Sequence, residues 1–239
     1  MNYFNETVQL ARKYIKQVKV DGTNEVISTS KGVSVRKTKK TTASKNTEEL
    51  EKLAAKVRVC KECHLHKSRK NAVPGEGNYN AKLMFIGEGP GYDEDRLGRP
   101  FVGRAGQLLD KIIAAMGMKR EDVFIANIVK CHPMVDPSHP ENRGNDRKPA
   151  PDEINACLHY LERQIDLIKP KIICSLGSVS ATTITGIEAP LGSLRGKFHD
   201  YKGIKLMPTF HPAALLRNPN WKKDAWEDMK KIMKELARK

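Results

Sequence analysis

Acidic residues, aromatic residues and long apolar runs are all scarce in this 239-residue chain. No stretch approaches about eighteen consecutive apolar residues, so neither a membrane-spanning helix nor a membrane partner is expected. Aromatic residues make up 6% of the chain and hydrophobic residues 39%, a composition typical of a soluble protein with one folded core. The N-terminus lacks the basic and then apolar order of a secretory signal, which predicts a cytoplasmic location.

The shortage of acidic residues leaves the chain strongly basic. Its 43 Lys and Arg residues outnumber its 28 Asp and Glu residues, which gives a net charge of +15 and a pI of about 9.6. The excess is not confined to the N-terminal segment, so the folded part is expected to carry a basic face of its own. Such a balance favours a polyanionic partner, and nucleic acid is the partner that we expect.

Cysteines are few, and their positions indicate a metal centre rather than disulfides. Five cysteines in a reducing compartment do not predict a disulfide framework. Two residues separate Cys60 from Cys63, so both thiolates can reach one metal centre, and Cys131 and Cys157 complete a set of four. Spacing alone fits either a zinc ion or a [4Fe–4S] cluster, and it leaves open that the distant pair is simply buried. Cys174 lies in the apolar run KIICSL and is predicted to be a small core residue.

The composition of the chain changes near Thr47. Residues 1–20 have apolar residues at helical spacing, and residues 21–46 are rich in Ser, Thr and Lys without a sustained period, which indicates a flexible basic linker. Thr47 precedes two glutamates and an apolar series, a pattern typical of a helix N-cap. We therefore expect a basic N-terminal extension over residues 1–46 and one folded domain over residues 47–239.

In the expected domain, short apolar runs alternate with helical patterns. The apolar runs predict buried strands at residues 82–87, 123–128, 171–176 and 204–208. Helical periodicity predicts helices at residues 102–116, 152–168, 179–185 and 221–236. This alternation predicts an α/β fold of three layers, with helices on both faces of a central, mainly parallel four-stranded sheet. Ligands of such folds bind at the carboxyl ends of the strands, so the loops that follow the strands are the candidate site.

Two of these loops carry residues with useful chemistry. The first, Gly87–Gly91, has the sequence GEGPG, and its three glycines let the main chain approach a planar or anionic ligand closely. It matches neither the dinucleotide-binding loop nor the phosphate loop of nucleoside triphosphate enzymes. The second loop follows Pro208 and contains His211, an imidazole that can donate a hydrogen bond beside the apolar residues that come next.

Together, these stretches resemble the family-four uracil-DNA glycosylases, the iron–sulfur branch of that superfamily. The resemblance extends from about Glu51 to the C-terminus. It is closest in the order of the four cysteines and in three segments, GEGPGYDEDRLGRPFVGRAGQLLD, NIVKC and LRGKFHDYKGIKLMPTFHPAALLRNP. The resemblance implies a monofunctional DNA repair enzyme that hydrolyses the N-glycosidic bond of uracil in DNA and so starts base-excision repair.

The resemblance also implies a role for individual residues. The cluster ligands that it implies, with zinc as the alternative metal, are Cys60, Cys63, Cys131 and Cys157. The catalytic residues are Glu88, Asn127 and His211. The residues that contact uracil are Gly87, Gly89, Pro90, Gly91, Tyr92, Phe101 as the stacking ring, and Asn127. The residues that contact DNA are Pro212, Ala213, Leu215 as the wedge that enters the minor groove, and Arg217.

The chemistry of base removal is consistent with these roles. An amide side chain offers one acceptor and two donors, so Asn127 can pair with N3–H and O4 of uracil and mismatches the reversed pattern of cytosine. Negative charge develops on uracil O2 as the bond breaks, and His211 and main-chain amides of the first loop can donate hydrogen bonds to it. Glu88 is expected to orient that loop or the attacking water. Three nearby acids are expected to be solvated residues at a helix start, namely Asp93, Glu94 and Asp95.

Two features depart from the family pattern. The segment between Cys131 and Cys157 is longer than this branch leads us to expect, and the extra residues are expected to contact DNA. Residues 1–46 lie outside the resemblance and are interpreted as an arm that tethers DNA or contacts a repair or replication protein, or as a solvated tail. The competing function is a metal-stabilised module that binds DNA or docks on a polymerase without catalysis. We expect a monomer.

Overall fold

The computed structural model of the chain describes residues 42–238, so the helix predicted over residues 1–20 lies outside the described residues. The helices are α1 (Thr42–Val59), α2 (Tyr92–Leu97), α3 (Arg104–Ala115), α4 (Pro151–Ile168), α5 (Ser178–Thr185), α6 (Leu191–Leu194), α7 (Pro212–Arg217) and α8 (Lys222–Leu236). The strands are β1 (Glu76–Gly77), β2 (Leu83–Gly87), β3 (Phe124–Asn127), β4 (Ile172–Leu176), β5 (His199–Tyr201) and β6 (Ile204–Thr209). Single 3-10 turns cover His64–Lys67, Arg120–Asp122 and Pro219–Trp221.

The described strands form one sheet in the order β1-β3-β2-β4-β6-β5. The four central strands are parallel, and the two edge strands are antiparallel to their neighbours. The predicted four-stranded parallel centre is therefore confirmed, and the sheet has two strands more than predicted. β1 has two residues and β5 three, so neither is long enough to show an alternating pattern in the sequence.

Helices cover both faces of this sheet, which confirms the three-layer α/β architecture. Every residue of β2 and β4 is buried, as a parallel sheet covered on both faces requires. On one face, Leu161 of α4 belongs to the same apolar cluster as Ile86 of β2. On the other face, Ile113 of α3 and Ile232 of α8 cluster with Phe85. No helix in the described part of the chain is both long and apolar enough to cross a membrane.

Helix α1 begins earlier than the sequence predicts. It begins at Thr42, so Thr47 lies inside the helix and the prediction of an N-cap at Thr47 is wrong. Residues 42–46 belong to this helix and not to the linker. Their polar sequence carries no apolar signal, but the Asn46 amide donates a hydrogen bond to the main-chain oxygen of Leu167 at 3.1 Å, which ties this first turn to α4. Tertiary contact therefore extends the helix beyond its apolar series.

The parallel strands bring the two candidate loops to one edge of the sheet. Gly87 at the end of β2 is paired in register with Asn127 at the end of β3. Leu176 at the end of β4 is paired with Thr209 at the end of β6. The segments that follow these strands, including the one with His211, therefore begin at the same carboxyl edge.

Candidate functional site

The Asn127 amide and the Phe101 ring meet above the main chain of Gly87. A Cβ atom at Gly87 would lie 2.4 Å from Asn127 Oδ1 and 2.5 Å from Phe101 Cζ, so only glycine leaves room for both side chains. Asn127 is 1% exposed, and its Oδ1 has no hydrogen-bond partner in the described part of the chain. A buried amide oxygen without a partner is costly, because it has lost its hydration and gained nothing in return. This atom is therefore a strong candidate for contact with a ligand.

Phe101 is held in an unusual main-chain conformation. Its φ is +49°, in the left-handed region that costs a non-glycine residue about 1–3 kcal/mol. The Arg120 guanidinium donates hydrogen bonds to the main-chain oxygens of Pro100 at 2.5 Å and of Phe101 at 3.2 Å. A Cβ atom at Gly106 would lie 1.9 Å from the Phe101 oxygen, so this position in α3 also requires glycine. Neither Arg120 nor Gly106 can be assigned a role from the sequence, because each acts on the main chain of another residue.

The acidic run after the first loop fixes main-chain positions. Glu94 accepts hydrogen bonds from the main-chain N–H groups of Val102 at 2.8 Å and Gly103 at 2.9 Å, next to Phe101. The expectation that these acids are solvated is wrong, because each has a partner. Asp95 is 4% exposed and accepts main-chain hydrogen bonds, whereas Asp93 pairs with a guanidinium. The partners of Asp95 are Lys70 and Asn71, and the partner of Asp93 is Arg143.

His211 lies beside Phe101, with ring centroids 5.5 Å apart. It is the N-cap of α7, and its Nδ1 accepts a hydrogen bond from the main-chain N–H of Ala213 at 3.1 Å. Burial and the nearby Arg217 cation lower the pKa of His211 from 6.5 to about 4. The imidazole is therefore neutral near pH 7, and because Nδ1 is the acceptor its proton lies on Nε2. Gly177, at φ +92°, gives the ring space, since a Cβ there would lie 3.1 Å from the His211 Cβ.

Glu88 follows Gly87 and is half-buried. Burial raises the pKa of its carboxyl above the ordinary 4.5, and the Lys148 cation opposes that rise. Its main-chain oxygen accepts a hydrogen bond from Val129 at 3.2 Å, which ties the loop to the segment after β3. Lys148 belongs to the long segment between Cys131 and Cys157, so this segment lies near the first loop.

The rest of the first loop packs closely on the segment after β3. A Cβ atom at Gly89 would lie 2.8 Å from Val129 Cγ2, and Pro90 is buried. Gly91 is the N-cap of α2, and Tyr92 is the first residue of that helix. The Arg143 guanidinium stacks on the Tyr92 ring at 4.7 Å from its centroid. The extra residues after Cys131 therefore contact the first loop's own helix in this structure.

The segment predicted to contact DNA is a short helix, α7. Leu215, the predicted wedge, is 1% exposed and packs against Leu108 of α3 and Ala225 of α8, so it does not project from the surface in this structure. Its neighbour Leu216 is 37% exposed. Pro212 is also buried, Ala213 is half-buried, and Arg217 is exposed. Of the two adjacent leucines in α7, Leu216 faces solvent and Leu215 faces the core. The sequence alone does not show which of the two is exposed.

The four predicted ligand cysteines converge on one cavity. The residues that line it include Cys60, Cys63, Cys131, Cys157, His66, Arg69, Lys130 and Tyr160. Cys60 and Cys63 follow α1, Cys131 follows β3, and Cys157 lies on α4. Cys174 is fully buried in the apolar cluster on the other face of the sheet, which confirms its prediction as a core residue.

Burial in this cavity determines whether its cysteines are thiols or thiolates. Burial raises the pKa of Cys131 to about 11 and that of Cys157 to about 12, and it also raises the pKa of Cys63. These three thiols therefore keep their protons near pH 7 unless a cation displaces them, as metal binding does. In residues 42–238 no group of three or more His, Cys, Asp or Glu side chains is arranged to hold one metal ion.

The histidines near these cysteines have other partners. His64 pairs with Glu153 at 2.8 Å, and His132 pairs with Asp146 at 2.6 Å. His66 Nδ1 is hydrogen-bonded to the main-chain oxygen of Cys63 at 2.7 Å. Four thiols therefore line the cavity, together with the imidazole of His66.

Comparison with known proteins adds an independent finding. The model of the uracil DNA glycosylase superfamily matches residues 74–230. The chain is 46% identical over 200 residues to the type-4 uracil-DNA glycosylase of Saccharolobus solfataricus. These matched residues cover 80% of this chain and 88% of that protein. It is 47% identical over 197 residues to the type-4 uracil-DNA glycosylase of Sulfurisphaera tokodaii (79% and 84%). It is 38% identical over 193 residues to that of Archaeoglobus fulgidus (77% and 92%).

Proposed function

Because this chain belongs to the uracil DNA glycosylase superfamily, we propose that it hydrolyses the N-glycosidic bond of uracil in DNA and leaves an abasic site, the first step of base-excision repair. The relatives named type-4 uracil-DNA glycosylase support this reaction class. The observation in this chain that carries the proposal is the unpartnered Oδ1 of Asn127, which is buried between Gly87 and the Phe101 ring.

Asn127 is the proposed base reader. Its free Oδ1 accepts the N3–H of uracil, and its Nδ2 donates to O4. Cytosine presents an acceptor at N3 and a donor at C4, so both contacts become repulsive or unpaired, and such a mismatch discriminates strongly in a buried site. Phe101 is the proposed stacking surface for the base. Since Asn127 is 1% and Phe101 5% exposed, a base that contacts both of them is largely removed from water.

His211 is the proposed stabiliser of the leaving group. Cleavage leaves negative charge on uracil O2, and a neutral imidazole with its proton on Nε2 donates a hydrogen bond to that oxygen. The ring does not have to lose a proton first, since its pKa of about 4 keeps it neutral near pH 7. Its N-cap bond to Ala213 fixes its orientation before the base arrives, so little reorganisation is needed as the charge develops.

Glu88 is the proposed partner of the attacking water. Its half-buried carboxyl lies in the same loop as Gly87. Its pKa is raised, so this carboxylate accepts a proton from water more readily than an ordinary carboxylate does. The Lys148 cation opposes this rise and so favours the ionised form of the carboxyl. The carboxylate also faces the positive charge that develops on the sugar ring as the bond breaks.

DNA binding is proposed to involve the face that carries α7. Extrusion of a base costs a few kcal/mol of stacking and pairing, which an inserted side chain and phosphate contacts offset. Leu216 is the proposed wedge, because it is exposed on the helix capped by His211, whereas Leu215 is packed inside. Arg217 is exposed next to it, and the net charge of +15 favours phosphate contacts throughout.

The four thiols are proposed to hold a [4Fe–4S] cluster. The donor set fits, because thiolates are the ligands of such clusters and four cysteines line one cavity. When bound, the cluster supplies a rigid tie between α1, the end of β3 and α4, and hydrolysis needs no redox step. The alternative, zinc, is tested by metal analysis: a protein with zinc and without iron would overturn the cluster.

The reaction is tested with a DNA duplex that contains one uracil. Purified protein is incubated with the duplex, and alkali then reveals abasic sites as strand breaks. We expect breaks at uracil and none at cytosine, and Asn127→Asp should remove this discrimination, because an acceptor replaces the amide that faces O4. Binding of the duplex without breaks would support a DNA-binding module instead and would overturn the proposed reaction.

A further inference from the structure

Lys130 is a lysine buried without a counter-ion. Its side chain is 1% exposed and lies between the end of β3 and α4. Its Nζ donates hydrogen bonds to the main-chain oxygen of Asn127 and to Oε1 of Gln164, each at 2.8 Å. Both acceptors are neutral, and no carboxylate pairs with Lys130 in the described part of the chain. A buried ammonium is strongly unfavourable unless a negative charge faces it.

Lys130 lines the cysteine cavity and contacts one of its cysteines through its main chain. It forms part of the cavity wall, and its main-chain N–H donates to Cys157 Sγ at 3.2 Å. A thiolate in this cavity would therefore supply the missing negative charge, which a protonated thiol does not.

Arg69 is a second cation on the wall of the same cavity. Its Nη1 donates to Cys131 Sγ at 3.0 Å, and its Nη2 donates to the main-chain oxygen of Arg58 at 3.2 Å. It has no carboxylate partner among the described residues either. The acid that lines the cavity, Glu62, is exposed and binds the Tyr160 hydroxyl and His159. The cavity is therefore bounded by two cations without acidic partners.

We propose that Lys130 and Arg69 are the counter-ions of the thiolate-ligated cluster, and that Lys130 also positions the base-reading end of β3. This inference rests on the proposed function, because it takes the cluster as the occupant of the cavity. Four thiolates around a doubly positive core carry a net double negative charge, which one ammonium and one guanidinium balance. Hydrogen bonds and charges around a cluster tune its stability and potential, so both cations act on the cluster without ligating it.

The same ammonium links the cluster to Asn127. Lys130 Nζ is bonded to the Asn127 carbonyl, and its main chain contacts Cys157, so one residue bridges the cavity and the pocket. When the cluster holds the ammonium in place, the carbonyl of Asn127 is held as well. Loss of the cluster or of the ammonium is expected to loosen the strand end whose side chain reads the base.

The experiment compares iron retention in charge-deletion variants of the purified holoprotein. Lys130→Met and Arg69→Met each remove one cation, and Lys61→Met removes an exposed lysine between Cys60 and Cys63 as the matched control. Iron and sulfide per chain, the absorbance near 400 nm and the rate of iron release to a chelator are measured. We expect release to accelerate about tenfold or more for the two cavity variants, the range typical for partners of metal ligands, and to stay unchanged for Lys61→Met.

A conservative variant distinguishes the effect of the positive charge of Arg69 from the effect of its packing. Arg69→Lys keeps the positive charge and is expected to restore slow iron release relative to Arg69→Met, which a purely steric role would not explain. Should Lys130→Met fail to fold, the Arg69 pair decides the counter-ion role. Wild-type release rates in both methionine variants would overturn the inference while leaving the proposed reaction intact. Wild-type protein that breaks DNA at uracil but contains no iron would instead overturn the cofactor and this inference with it.

A separate measurement tests whether Lys130 positions the end of β3 that carries Asn127. Hydrogen–deuterium exchange of the segment 124–131 is compared between wild-type and Lys130→Met holoproteins that contain equal iron. We expect faster exchange in the variant and no change in Lys61→Met, because only the former loses the bond to the Asn127 carbonyl. Equal exchange in all three proteins would overturn the link between the cluster and the pocket.

Discussion

The imidazole of His211 lies 5.5 Å from the ring of Phe101, with the two planes tilted by 33°. Each ring is held from outside the pair: His211 by its cap on α7, and Phe101 by main-chain bonds to Arg120 and by the adjacent loop contacts of Glu94. The two rings thus keep their relative positions without a ligand. Groups that stay fixed while charge develops are the most effective in stabilising a transition state, because they need little reorganisation.

Removal of the imidazole should affect cleavage far more than binding. His211→Ala deletes one donor to uracil O2, a loss that typically costs about 2.7–4 kcal/mol, so we expect single-turnover cleavage to slow by about a hundredfold or more. Affinity for a duplex with an uncleavable uracil nucleotide, measured by fluorescence anisotropy, should change little. Equal losses of rate and affinity would contradict the leaving-group role.

His211 should stay neutral across the physiological pH range. Since folding lowers its pKa from 6.5 to about 4, its resonances in an NMR titration should shift near pH 4 and not between pH 5 and 8. The unfolded chain takes up this proton at higher pH than the folded chain, so the free energy of unfolding should fall as pH decreases from about 6.5 to about 4. Replacement by Gln should remove that part of the pH dependence. A midpoint near 6.5 would show that the ring is solvated.

Glu88 should give the cleavage rate a pH dependence at acidic pH. Its pKa is above the ordinary 4.5, so the ionised form that accepts a proton is gained only as pH rises through that raised value. We expect the logarithm of kcat/KM to rise through this region and then level off. Glu88→Gln should flatten the profile and lower its plateau. Lys148→Met should move the midpoint upward, because the cation that opposes the rise is gone, and an unchanged midpoint would contradict that contact.

Gly87→Ala should disable the pocket. The added Cβ would lie 2.4 Å from Asn127 Oδ1 and 2.5 Å from Phe101 Cζ, so at least one of these side chains must leave its position. Overpacking of this kind costs about 1–3 kcal/mol of stability, and we expect cleavage to fall by about a hundredfold or more. Gly192→Ala is the matched control, since nothing lies within 4 Å of its Cβ position. Wild-type cleavage by Gly87→Ala would contradict the meeting of the two side chains.

The two adjacent leucines of α7 should behave in opposite ways. Leu216→Ala removes an exposed side chain, so we expect slower cleavage of duplex DNA, a smaller effect on single-stranded DNA, and an unchanged melting temperature. Leu215→Ala empties part of a packed cluster and should lower the free energy of unfolding by about 2–5 kcal/mol. Thermal melts and single-turnover kinetics on both substrates distinguish the two. A cleavage defect confined to Leu215→Ala would return the wedge role to that residue.

Periodic patterns predict the centre of this fold well. Strands β2, β3, β4 and β6 appear in the sequence as short apolar runs, because a parallel sheet between two helical layers is buried on both faces. The edge strands β1 and β5 were not predicted, since two or three half-exposed residues carry no period. The first turn of α1 was not predicted either, because it is polar and is held by Asn46 on α4.

The candidate site shows the same division. Its chemical groups can be predicted from the sequence, since the amide of Asn127, the imidazole of His211 and the four thiols are properties of residue types in recognisable motifs. The residues that hold these groups in place cannot be predicted from the sequence. Glu94 and Arg120 act on the main chain of the segment around Phe101, and such contacts depend on how distant segments pack.

The amino-acid sequence by itself determined the strand and helix order, the basic charge and the donor atoms available to a base and to a metal, because these follow from residue type and spacing. Only the tertiary structure decided that Leu215 faces inward and Leu216 outward, that the acidic run is bonded and not solvated, and that a buried lysine joins the cysteine cavity to Asn127. Burial and partnership depend on which surfaces meet, and residues far apart in the chain form those surfaces.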